Sequence, residues 1–127
     1  MTIKIHITID SAHKLNLPYE SKCNNLHGHR WEIDIEISID IAEGAVSPLT
    51  NGMIIDFTHI KEYFKKYDHQ YLNDLFPEDF HTTAENLARF WTLGIDRICL
   101  EKMDFDHPRR IRVSVAETPN NIATYEI

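Results

Sequence analysis

Residues 23–31 read CNNLHGHRW, a thiol and two imidazoles in one short run. His27 and His29 stand at i and i+2, so in an extended strand both side chains point to one side. Two imidazoles so placed can share a metal ion. A third donor must come from elsewhere, and His13, at the end of an earlier alternating stretch, is the natural one if the two stretches pair antiparallel. Three neutral imidazoles leave one tetrahedral position open, which is the donor pattern of a catalytic rather than a structural zinc. Gly28 lets the backbone pass close to such a site. A bare H-x-H pair also arises from strand composition alone, and other first-row metals accept the same donors.

Cys23 has three readings: a further zinc ligand, a buried inert thiol, or a thiolate that removes a proton. It follows Lys22 and lies beside Asn24 and Asn25, in a polar loop near the expected dication. Positive neighbours favour the thiolate, the form a base or nucleophile requires. Cys99, within DRICLEK, is expected to be packing. Asp68 directly precedes His69 in YDHQYLND, where a carboxylate can fix the imidazole tautomer and raise its basicity. The same histidine could equally complement the negative end of a helix. Glu117 in VAETPN is either a solvated strand-end carboxylate or an acceptor for two N–H donors of a pterin- or guanine-like ring edge.

These residues need a scaffold to converge on. Ile3, Ile5, Ile7 and Ile9 occupy every odd position, with Lys4, His6, Thr8 and Asp10 between them. That period of two predicts a strand with one apolar and one wet face. Residues 13–25 read as a loop. Trp31, Ile33, Ile35, Ile37, Ile39 and Ile41 then repeat the alternation, an antiparallel partner for the first strand. Gly44, Pro48, Asn51 and Gly52 predict a turn over 43–52. Ile60, Tyr63, Phe64 and Tyr67 recur at helical spacing and predict a helix over 58–67. Thr82 and Glu85 stand at capping-box spacing before a second helix, whose apolar stripe is Leu87, Phe90, Trp91, Ile95 and Ile98. A loop is expected around DFDHP. Ile111, Val113 and Val115 predict a third strand, and IATYEI a fourth.

The order β-β-α-α-β-β gives an α+β fold, with an antiparallel sheet of four strands and both helices over the isoleucine face. Glu32, Asp34, Glu36, Arg110 and Arg112 fall on the opposite, wet face. Two open sheet edges invite pairing with further copies of the chain, so a homo-oligomer is expected, with the polar faces lining a ring.

The 127 residues, 43% hydrophobic, suit one domain over 1–127. A formal net charge of −7 disfavours nucleic acid and anionic membrane as partners. The first ten residues alternate rather than forming a basic then apolar leader, so no signal peptide is expected. Two cysteines in unlike contexts suit a reducing, cytoplasmic setting. Lys14, Lys22 and Arg30 are candidate cations for an anionic substrate, or plain surface charges.

Taken in order, SAHKL, CNNLHGHRW, GMIIDFTHIK, DHQYLND, TAENLARFW and VAETPN resemble the 6-pyruvoyltetrahydropterin synthase / 6-carboxytetrahydropterin synthase family along nearly the whole chain. The resemblance implies the tunnelling fold, in which trimers form a twelve-stranded barrel and two trimers stack into a hexamer. It implies zinc on His13, His27 and His29, with Cys23 as catalytic base. Asp68 and His69 would be the acid–base pair, lent by a neighbouring subunit. Glu117 would grip a pterin ring, assisted by backbone around Thr83. The three residues between Cys23 and His27 resemble the bacterial 6-carboxytetrahydropterin synthases of the queuosine (7-deazaguanine) pathway. The expected activity is conversion of 7,8-dihydroneopterin triphosphate to 6-carboxy-5,6,7,8-tetrahydropterin, acetaldehyde and triphosphate. The alternatives are a 6-pyruvoyl-forming enzyme and a non-catalytic pterin-binding paralogue. The family often has Pro-Thr before the second helix; here the residues are Thr82-Thr83.

Overall fold

The alternating isoleucines form the long strands their period requires. In the computed structural model, which describes residues 1–41, 52–103 and 107–127, β1 spans Thr2–His13 and β2 spans His27–Ile39. β3 (Arg109–Thr118) and β4 (Asn121–Glu126) complete an antiparallel four-stranded sheet in the order β1-β2-β3-β4. α1 covers Phe57–Lys65 and α2 covers Ala84–Lys102, so the chain order is the predicted β-β-α-α-β-β. The predicted turn at 43–52, apart from Gly52, and residues 104–106 of the DFDHP loop lie outside the described residues.

Odd-numbered residues of β1, β2 and β3 face inward. Trp31, Ile33, Ile35, Ile37, Ile111, Val113 and Val115 are fully buried. The helices close over them: Ile60 and Phe64 come from α1, and Leu87, Trp91 and Ile95 from α2. Phe64 and Trp91 meet edge to face, with ring centroids 5.3 Å apart. Phe90, expected in the apolar stripe, is largely exposed, and Ala88, Thr92 and Cys99 are buried instead. Burial pushes the Cys99 thiol up to about 11, which fits its packing role.

The second helix does not start as its local motif suggests. Thr83, not Thr82, is its N-cap, and the Thr83 hydroxyl accepts from Asn86 N–H. Thr82 is buried behind His13, so its side chain is committed to a tertiary contact. α1 begins and ends slightly earlier than predicted, capped by the Asp56 carboxylate, which accepts from Thr58 N–H at 2.8 Å.

Gly94 of α2 packs against the Tyr63 ring of α1. A Cβ added there would strike the Tyr63 phenol oxygen and lie 2.7 Å from its Cζ. Glycine-to-alanine inside a helix ordinarily gains about 0.5–1 kcal/mol, while overpacking costs about 1–3 kcal/mol. The clash is the larger effect, so Gly94→Ala should lower the melting temperature and Tyr63→Leu should restore it. A Gly94→Ala protein melting at or above wild type would show that α1 moves aside freely.

The even-numbered face is polar, as expected. Lys4 donates to Glu36 at 3.0 Å, His6 lies 2.7 Å from Asp34, and Arg30 donates to Asp10 at 3.1 Å. Arg30, a candidate for an anionic substrate, is therefore paired on the side of the sheet away from the helices. β1 and β4 are the sheet edges. The last part of β1 is covered by the segment after α1: Ala12 N–H donates to Gln70 C=O, and His69 N–H to Asp10 C=O. Among the described residues, no helix is long and apolar enough to cross a membrane.

Candidate metal centre

At one end of the sheet the inward stripe changes chemistry without changing parity. β2 begins at His27, so both histidines of HGH lie within the strand and continue the line of Trp31, Ile33 and Ile35. His13 is the directly opposed partner of His27, and Ser11 that of His29. On β3 the inward line Ile111, Val113, Val115 ends at Glu117. Four polar side chains thus finish three apolar rows at a common end.

The rings converge. Centroid separations are 4.5 Å for His13–His27, 4.8 Å for His27–His29 and 5.1 Å for His13–His29. One ligand atom from each histidine and one Glu117 oxygen all lie within 4.8 Å of one another. A tetrahedral ion with bonds of about 2.0–2.1 Å would set its ligand atoms roughly 3.4 Å apart, so small side-chain movements would close the set. Trp31 packs edge-on against both His13 and His29, at 4.8 Å and 5.2 Å, and donates its indole N–H to Ser11 C=O.

Hydrogen bonds decide which ring nitrogens face inward. His13 Nδ1 lies 2.8 Å from Thr82 C=O, and His27 Nδ1 lies 2.7 Å from Asn25 C=O. A carbonyl can only accept, so both Nδ1 atoms carry the proton and each Nε2 keeps its lone pair. The buried Nε2 atoms of His13 and His29 have no hydrogen-bond partner. Glu117 Oε1 lies 3.2 Å and 3.0 Å from them, so two ring nitrogens and a carboxylate oxygen crowd one point. Orphaned lone pairs of this kind are costly in a protein interior, and a shared cation would satisfy them. Burial is the main cause that lowers the pKa of both His13 and His29, partly offset at His13 by Thr82 and at His29 by Glu117. Both shifts favour the neutral ring, the form a metal requires. The donor set fits a divalent ion.

Cys23 sits outside this cluster, half-buried in a 3-10 turn, Lys22–Asn24. Ser21 Oγ accepts its N–H at 3.1 Å, and its carbonyl accepts from Leu15 N–H at 2.8 Å, which ties the loop to the chain just past His13. Asp68 and His69 form the expected pair, Oδ2 to Nδ1 at 2.9 Å. Asp68 Oδ1 also accepts Asp10 N–H at 2.8 Å, and this bond chiefly, with His69 adding to it, lowers the Asp68 pKa. His69 is strongly exposed and has φ 55°, the one non-glycine residue in the left-handed region among those described. Such a conformation costs on the order of 1–3 kcal/mol and is commonest at working sites. Thr83 is placed at the start of α2, next to the His13 partner Thr82. One contributor escaped sequence reasoning: Glu117 was expected at a ligand ring, and its contact with the imidazoles was not. Its parity with Val113 and Val115 was the available signal.

The family model for 6-pyruvoyl tetrahydropterin synthase matches residues 2–127. The 6-carboxy-5,6,7,8-tetrahydropterin synthase of Haemophilus influenzae is 28% identical, covering 98% of this chain and 97% of that protein. A relative from Pyrococcus horikoshii is 44% identical over 61 residues, 48% of this chain; the match spans only 34% of that relative's length. The Caenorhabditis elegans 6-pyruvoyl tetrahydropterin synthase structure superposes with a TM-score of 0.68 at 25% identity, over 100% of this chain and 95% of that one.

Proposed function

Because the chain belongs to the 6-pyruvoyl tetrahydropterin synthase family, we propose that it is a zinc-dependent lyase. Its substrates in this reading are 7,8-dihydroneopterin triphosphate and water, and its products are 6-carboxy-5,6,7,8-tetrahydropterin, acetaldehyde and triphosphate, a step toward queuosine. The observation that carries this reading is the convergence of three imidazoles and a carboxylate at one end of the sheet. His13, His27 and His29 would hold the ion. When bound, zinc supplies Lewis acidity toward the hydroxyls of the substrate side chain.

The chain's own residues divide the remaining work. Glu117 accepts the N–H edge of the pterin ring, with backbone near Thr83 beside it. The same carboxylate lies against His13 and His29, so a ring anchored there presents its side chain to the imidazoles. Cys23 takes the proton from the first side-chain carbon. His69 moves the second proton, with Asp68 fixing its tautomer. Exposure of His69 beside a sheet edge suits a pair that completes a neighbouring subunit's site. That arrangement requires an oligomer, and a hexamer built as a dimer of trimers supplies it, with the charged sheet faces lining the ring.

One feature favours the carboxy-forming reaction over the 6-pyruvoyl-forming one: the three-residue interval from Cys23 to His27. Metal analysis of the purified protein, together with mass spectrometry of the products, tests the proposal. The expected result is bound zinc, 6-carboxytetrahydropterin and acetaldehyde. A pyruvoyl product without acetaldehyde would assign the alternative reaction. Pterin binding without triphosphate release would leave a binding protein.

A further inference from the structure

Asn73 lies in the 3-10 turn Leu72–Leu75, away from the four donors, and joins three segments behind His13. Its Oδ1 accepts Lys14 N–H at 3.0 Å, and its Nδ2 donates to Lys14 C=O at 2.9 Å. The same Oδ1 accepts the Thr82 hydroxyl at 3.4 Å. Thr82 in turn faces His13 Nδ1 with its carbonyl at 2.8 Å and its hydroxyl oxygen at 3.3 Å. His13 and Thr82 are both fully buried.

The geometry points to Asn73 as a positioning residue for His13, acting through Thr82 and the Lys14 backbone; this rests on the metal-centre reading above. Lys14 is the first residue past β1, where the chain leaves the sheet with its N–H and C=O unpaired by a strand. A primary amide carries a donor and an acceptor on one rigid plane, so Asn73 substitutes for the missing strand neighbour and fixes the exit of the chain at His13. Its second effect is on proton placement. With the Thr82 hydroxyl proton directed at Asn73, the oxygen's lone pair is left for His13. His13 Nδ1 is then a donor to both oxygens of Thr82, and Nε2 stays a lone pair aimed at the other donors. Without Asn73, the hydroxyl loses its acceptor and its lone pair is no longer held toward Nδ1, so the Thr82 carbonyl alone is left to accept from His13.

Loss of a partner outside the ligand set typically weakens metal binding by about 10–100-fold. The test is a zinc titration against a competing chelator, with melting of the metal-free proteins recorded in parallel. Asn73→Ala should weaken zinc binding by roughly 10–100-fold relative to wild type. Thr82→Val, which keeps the carbonyl and removes only the hydroxyl, should weaken it as well. The double variant should lose less than the two single losses combined, because both act through one contact. Asn73→Asp, which retains the accepting oxygen, should recover part of the affinity. Wild-type zinc affinity in Asn73→Ala, whatever its melting temperature, would overturn the assignment. If that variant does not fold, unchanged affinity in Thr82→Val overturns it instead. A wild-type protein that binds no zinc fails the metal-centre reading itself, a separate and recognisable result.

Discussion

His29→Ala should abolish zinc binding at stoichiometric concentrations and with it all turnover, while His6→Ala should retain both. The two histidines differ in the side of the sheet they occupy. His29 continues the inward row of β2 and lies within ring contact of His13 and His27. His6 is on the even face, exposed and paired with Asp34. Removing one of three imidazoles leaves two, with Glu117 facing an incomplete set. The loss of affinity should exceed the roughly 100-fold upper range for partners outside the ligand set. The fold itself should survive, because the apolar rows that carry the sheet begin at Trp31 and run away from the site. Metal content after dialysis and far-ultraviolet circular dichroism separate these effects. A folded His29→Ala protein that holds a full equivalent of zinc would show that the imidazole cluster is not the metal centre.

The same parity argument explains what was legible beforehand. Alternation alone placed Ile3–Ile9, Ile33–Ile39 and Val113–Val115 inward, and the i, i+2 spacing put His27 and His29 together. Antiparallel pairing then required His13 to sit across from them, and it is opposite His27. What escaped were contacts whose partners are distant in sequence. Thr82 reads locally as a helix cap, yet its carbonyl and hydroxyl serve His13, 69 positions away, so the cap passes to Thr83. Asn73 stands within DHQYLND, but nothing local shows what it bonds, because its partner Lys14 is 59 positions away. Phe90 fits a helical apolar stripe but packs beside Phe76 and Phe80, with part of its ring exposed, rather than under α2. Local periodicity fixes which side a residue takes; tertiary bonds fix what it does there.

Cys23→Ala should keep a full equivalent of zinc and lose turnover by about 10²–10⁴-fold, the usual worth of a positioned acid or base. The separation follows from where the thiol sits. It is held by the Ser21 and Leu15 contacts of its own turn and contributes no atom to the cluster of donors. Its removal therefore leaves the ligand set untouched, whereas removal of His29 does not. The protein also contains its own control. Cys99 is fully buried in α2, with its thiol pushed up to about 11 by burial, so alkylation of the native protein should modify Cys23 first and stop activity with zinc still bound. Cys99→Ala should leave turnover close to wild type and cost stability through the cavity it opens. A Cys23→Ala enzyme with undiminished turnover would remove the thiol from the mechanism. Proton abstraction would then pass to the exposed His69, whose own replacement should in that case stop turnover with zinc still bound.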